Sequence, residues 1–217
     1  MSEYYYINNT NEKDVVGYYP QTTLTDDSWI YCGVLSDKRI LHERFAEGTP
    51  ELVFKMASKA KYTDLLAKDP LYFGLIVSER MKHILDEYNL PNHRYYSVLA
   101  QQGKKTKQYY WLHMVFELFD YIDLDKSELE IFHKFNGTSI EIFPIKDVEK
   151  TKERVHNLPF QDHYRFHKLV LKNDFPGYDI FELQQFQPGV IISEKLKHRL
   201  EEENLIGVVT SPFKFIE

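Results

Sequence analysis

His163 and His167, four positions apart, offer the clearest metal-binding chemistry in this 217-residue chain. On a helix, that spacing would put both imidazoles on one face, and Asp162 would add a carboxylate. Such a site would suit a metal-dependent hydrolase. The intervening Tyr164-Arg165-Phe166 and nearby Pro159 argue against a helix there. No His-Glu-x-x-His pattern occurs. A surface or core role for both histidines therefore ranks ahead of a metal site. Asp120, Asp123 and Asp125 could share a divalent cation, but an EF-hand-type loop needs a central glycine that is absent here. A solvated connection is the simpler reading. Glu201, Glu202 and Glu203 crowd a helix end, which is electrostatically poor. Such a run is usually solvated, but it can also await positive charge from a partner.

Other catalytic signatures are missing from the sequence. There is no Gly-x-Ser-x-Gly elbow, no P-loop and no dinucleotide-binding glycine motif. Cys32 is the single cysteine, so it cannot form an intramolecular disulfide or anchor a cysteine-rich metal site. Lys104, Lys105 and Lys107 beside Tyr109, Tyr110 and Trp111 imitate a basic, aromatic nucleic-acid patch. The net charge of −6 and pI near 5.9 oppose that reading. An acidic chain repels nucleic-acid phosphates and anionic membranes, and attracts a basic protein. No run approaches the ~18 apolar residues of a membrane helix. The start, Met1-Ser2-Glu3-Tyr4, lacks the basic-then-apolar pattern of a signal peptide. The expectation is a soluble, cytoplasmic protein without metal or cofactor.

The elements that must carry these residues are organised around a segment that occurs twice. Gly74 to Leu90 reappears as Gly189 to Leu205, with ten of seventeen positions identical. Each copy has a short apolar run, then Ser78 or Ser193 to cap a helix, then Glu79 or Glu194 at its positive end. Met81, Ile84, Leu85 and Tyr88 form one helical stripe, with His83 and its counterpart His198 facing away. Asn89 is expected to end the first helix.

Strands are expected at Tyr4–Ile7, Trp29–Val34, Ser139–Ile145 and Gly207–Phe213, and a short extended piece at Val15–Tyr19. A hairpin is expected from Arg94–Gln101 to Lys107–Phe119, with Tyr109–Phe119 doubly covered. Thr49 and Pro50 read as a helix start, with Leu52, Val53, Met56, Ala57 and Ala60 as its apolar face. Asp147–Asn157 reads as another helix. Sixteen Tyr and fifteen Phe suit pleated sheet faces. The resulting class is α+β, mainly antiparallel sheets with a few helices, two related strand-helix-strand units packed as one globule. Residues 1–217 form a single unit, within which 1–105 and 106–217 are candidate lobes.

Three segments carry a family resemblance. They are Asp120-Tyr-Ile-Asp-Leu-Asp-Lys-Ser127, Tyr178-Asp179-Ile180-Phe181, and Ile191-Ile192-Ser193-Glu194-Lys195-Leu196 followed by Gly207-Val208. In this order they resemble the immunity protein 11 family, also known as a domain of unknown function, with the immunity protein 43 family as near neighbour. The resemblance is best over Tyr95 to Phe213. It implies protection against a cognate toxin of a bacterial polymorphic toxin or secretion system; with the acidic charge and the missing active-site motifs, the favoured reading is a non-enzymatic protein that binds and neutralises that toxin. Asp120, Asp123, Asp125, Glu201 and Glu202 are then the candidate contacts with a basic toxin. The alternatives are the metal-dependent hydrolase built on His163, His167 and Asp162, and a scaffolding role.

Overall fold

In the computed structural model, residues 3–24, 44, 45, 47, 52–67, 73–183 and 189–214 are described. In chain order the first elements are β1 (Tyr4–Asn9), α1 (Lys13–Val16), β2 (Thr22–Leu24), β3 (Leu52–Met56), β4 (Leu65–Leu66) and β5 (Leu75–Val77). Then come α2 (Glu79–Leu85), β6 (His93–Gln102), β7 (Lys105–Met114), a 3-10 turn at Leu118–Tyr121, β8 (Glu128–His133) and β9 (Ser139–Pro144). The rest are α3 (Val148–His156), β10 (Asp162–Lys168), β11 (Ile180–Leu183), β12 (Gly189–Ser193), α4 (Glu194–Glu202) and β13 (Val208–Phe213). The fold is α+β.

These strands form a six-stranded sheet (β2-β3-β6-β7-β5-β4), a four-stranded sheet (β11-β12-β1-β13) and a three-stranded sheet (β10-β8-β9). Only β3 and β6 pair in parallel among the described strands. Period-two alternation sends the side chains of β1 to two different cores. Tyr4 joins the cluster made with Ile131, Phe143, Phe166, Phe181 and Phe213, which the three-stranded sheet and α3 cover. Ile7 joins a second cluster, with Leu75, Leu112, Met81, Leu85, Leu196 and Leu200. That cluster holds both helices α2 and α4 together with one face of each of the two larger sheets. The opposite face of the six-stranded sheet buries Phe54, Tyr109 and Trp111.

The two serine-capped helices are built alike. The Ser78 hydroxyl accepts from the Met81 amide, and the Ser193 hydroxyl accepts from the Leu196 amide, both at 3.2 Å. Each hydroxyl in turn donates to an aspartate fourteen residues earlier, Ser78 to Asp64 at 2.7 Å and Ser193 to Asp179 at 2.8 Å. The second carboxylate oxygen of each aspartate reaches the other half of the molecule. Asp64 accepts from the Ile206 amide at 2.8 Å, just beyond α4. Asp179 accepts from the Asn89 amide at 3.0 Å, just beyond α2. Their backbone amides also cross over, to the carbonyls of Ile206 and Asn89, both at 2.7 Å. Burial alone would raise the Asp179 pKa. The Asn89 amide, the Ser193 hydroxyl and Lys195, 3.0 Å away, outweigh it and hold the carboxyl below its ordinary value.

Several local expectations differ from the structure. Val15 and Val16 close the short helix α1 instead of extending. Leu52, Val53 and Met56 lie in a strand, not a helix. Leu52, Phe54 and Met56 alternate as buried residues, and pairing with β2 and β6 decides between two periodicities that five residues cannot distinguish. Thr49, Pro50, Cys32 and the strand expected at Trp29–Val34 lie outside the described residues. The hairpin's second strand stops at Met114, and residues 118–121 turn as a 3-10 helix. Helix α2 ends at Leu85, ahead of Asn89. Strands β8 and β10 add to the expected set; Leu129 and Ile131 alternate with Glu128 and Glu130, and Tyr164 and Phe166 with His163 and Arg165, the period of a half-buried strand.

Replacing Asp179 by Ala leaves the Asn89 amide and Ser193 hydroxyl without their acceptor. The expected cost is roughly 2–3 kcal/mol, read from the urea midpoint, with Asp64→Ala in the same range. The Asp179 contribution is full above the ordinary carboxylate pKa of 3.8 and disappears as pH falls through the depressed folded-state value. Asp179→Asn should therefore flatten stability against pH between about pH 5 and pH 3. An unchanged slope would sink this assignment.

Candidate partner-binding surface

The acidic connection after the 3-10 turn is a structured surface. Asp120 and Asp125 are exposed and Asp123 is half-buried. Lys126 bonds the Asp123 carboxylate at 2.7 Å, and that bond is the main cause holding its pKa below the ordinary value. The Asp123 amide donates to the Val170 carbonyl, and Lys172 donates to the Asp120 carbonyl, both at 2.8 Å. Ile122 bridges to Leu171 beneath them. The chain is thus pinned with its carboxylates outward, and one of the three is already paired.

The second acidic group closes α4. Glu201 pairs with Lys197 one turn earlier, at 3.1 Å. Glu203 takes Arg199 at 3.1 Å and Arg80 of helix α2 at 3.1 Å. These cations relieve the repulsion expected at a negative helix end. Glu202 stays exposed. Beside Glu201 a groove of about 330 Å³ runs between α4 and β13, lined by Lys197, Leu200, Glu201, Leu205, Val208 and Thr210 among others. No hydrogen bond or ion pair joins the 120–125 group to the 201–202 group among the described residues. Ser78 and Ser193 lie at helix starts, where their hydroxyls are engaged by backbone and aspartate.

His163 and His167 belong to strand β10. Four residues along a strand span ~13 Å, and the register slips between Phe166 and Lys168, so the two histidines are too far apart along the strand to share one ion. His163 stacks on Tyr164 at 5.4 Å and lies 5.8 Å from the Phe132 ring. Among the described residues no group of three or more His, Cys, Asp or Glu side chains is placed to hold a metal. His83 and His198 are exposed on their helices.

Three features escaped the reading of residues. Asp64 and Asp179 brace the two helices across the molecule; their spacing from Ser78 and Ser193 was visible, but only in comparing the two segments. Phe135 and Phe160 are 69% and 80% exposed and sit ring to ring at 6.3 Å, at one end of the three-stranded sheet. The groove at Thr210 has no signal in one segment read by itself.

The molecule is therefore an α+β protein whose described surface presents acidic groups, exposed aromatics and an open groove. No described helix is long and apolar enough to cross a membrane. The chain belongs to the immunity protein family (Imm11), whose profile matches residues 3–214. A comparison with curated proteins finds no match.

Strand geometry at β10 makes a simple prediction. The double substitution His163→Ala, His167→Ala should shift folding stability by no more than about 0.5 kcal/mol. Added zinc should leave the melting temperature of the wild-type protein unchanged. A zinc-dependent rise that the double variant loses would restore the metal site.

Proposed function

We propose that this protein binds and neutralises a cognate bacterial toxin of a polymorphic toxin or secretion system, acting in the cytoplasm by covering the toxin rather than by catalysis. The single observation that carries the reading is the family match across residues 3–214. Such proteins act through a surface, so the exposed side chains are the working parts. A stable inhibitory interface buries on the order of 1,200–2,000 Å². The net charge of −6 favours a basic toxin, since complementary charge speeds encounter. Asp120, Asp123, Asp125, Glu201 and Glu202 are the proposed contacts. Lys126 already neutralises Asp123, and Lys197 partly neutralises Glu201. Asp120, Asp125 and Glu202 then contribute most of the attraction.

The two serine-capped segments are read as copies of one ancestral unit. Each aspartate ties its own helix start to the backbone just beyond the end of the other helix. A frame braced in this way loses little conformational freedom on binding, which favours tight capture.

Co-expression with the toxin encoded beside its gene tests the function: the protein should rescue growth, and a purified complex should form. Reversing the five acids should slow association at low salt and flatten its dependence on ionic strength. Full rescue and an unchanged association rate after all five reversals would remove these residues from the interface.

A further inference from the structure

Lys82 and Lys197 occupy the same place in α2 and α4, each paired with an acid one turn later. Lys82 bonds Asp86 at 2.7 Å, and Lys197 meets Glu201 at 3.1 Å. Each ammonium also sits over aromatic rings. Lys82 stands over two, Tyr95 at 4.6 Å and Tyr110 at 5.8 Å. Lys197 stands over one, Tyr5 at 4.9 Å.

Strand register identifies the missing ring. Val77 pairs with Tyr110, and Ile192 pairs with Tyr5; each apolar partner immediately precedes its capping serine. Tyr5 is thus the counterpart of Tyr110. Two residues further on, Leu112 pairs with Tyr95, and Ile7 pairs with Thr210. Thr210 therefore stands where the other half has Tyr95. The Tyr95 hydroxyl is buried close to Asp86; burial first, and then the negative charge of Asp86, push its pKa up. Threonine is too short to make these contacts. The groove lined by Lys197, Glu201, Val208 and Thr210 lies at this position.

We propose that this groove is a socket for a tyrosine side chain presented by the partner protein. The ring would lie under the Lys197 ammonium, opposite Tyr5, and the hydroxyl would donate to Glu201. Leu200, Leu205 and Val208 supply apolar walls. The charges are complementary, a cation for the negative ring face and a carboxylate for the phenolic proton. Tyrosine is also a residue type that concentrates binding energy in such pockets. The inference rests on the partner-binding function proposed above and names one contact within it.

Thr210→Tyr is the direct test, because it supplies from within the side chain that the groove lacks. The variant should fold, with a urea midpoint at or above that of the wild type. Its affinity for the co-encoded toxin should fall by at least ~30-fold, the loss expected when a central tyrosine contact is blocked. Thr210→Ser, which leaves the groove open, should bind as the wild type does. Lys197→Met keeps the test decisive should Thr210→Tyr not fold: it should weaken binding by about tenfold while the groove stays open. Toxin binding by Thr210→Tyr and Lys197→Met as tight as by the wild type would overturn the socket and leave the neutralising function intact. If the wild type binds no toxin, the function reading fails, and the socket is decided separately. N-acetyl-tyrosinamide, titrated to tens of millimolar and followed by NMR, should then shift the amides of residues 197–210 in the wild type but not in Thr210→Tyr. Absence of those shifts overturns the socket. Concentration-dependent self-association of the wild type, abolished by Thr210→Tyr, would assign the groove to a second copy and overturn the partner assignment.

Discussion

Two aspartates hold the molecule in register with itself. Each binds the serine that starts its own helix and a backbone amide that follows the other helix. A carboxylate has two oxygens with room for several donors, so one side chain can serve both tasks. Because the bonds are to backbone amides, they fix chain path and not merely side-chain position. The second carboxylate oxygens and the backbone amide pairs make the contact reciprocal. Neither helix can shift along its axis without breaking bonds at both ends of the arrangement. Arg80 reaching Glu203, and Lys195 over the Tyr88 ring at 5.1 Å, repeat the same crossing at the surface.

This brace explains how the sheets come to share a core. Helices α2 and α4 lie in one apolar cluster with faces of both larger sheets, so the clamp at the helix ends closes around Met81, Leu85, Leu196 and Leu200. Gly74 adds a further tie. Its amide donates to the buried Glu182 carboxylate at 3.0 Å. Its φ of +71° and the Leu112 carbonyl, 2.1 Å from where a Cβ would stand, leave no place for a side chain. Strand β1 then completes the four-stranded sheet from the opposite end of the chain, pairing with both β12 and β13.

The likeness between the halves is most informative where it breaks. The hairpin β6-β7 supplies two tyrosines to Lys82, whereas β13 and β1 supply only one to Lys197. One half buries the hydroxyl of its tyrosine, and the other leaves a groove beside Glu201. Chemistry spent on packing in the first half is thereby left at the surface in the second.

Much of this was readable from residue order because the forces are local. A serine that caps a helix bonds an amide three residues on, so Ser78 and Ser193 declared their helices from sequence. The hairpin around Gly103, the strand at Tyr4 and the helix after Asp147 follow from turn chemistry and periodicity in the same way. The acidic runs at 120–125 and 201–203 were visible as charge, without the lysines and arginines that neutralise some of them. The five residues of β3 fit two periodicities until neighbouring strands choose one. The positions of His163 and His167, the crossing of Asp64 and Asp179, and the open place beside Thr210 all depend on which strands lie side by side. Sequence by itself determined the class, the capped helices and the family. Only the tertiary structure decided what stands opposite each side chain, because strand register brings together residues that no local force connects.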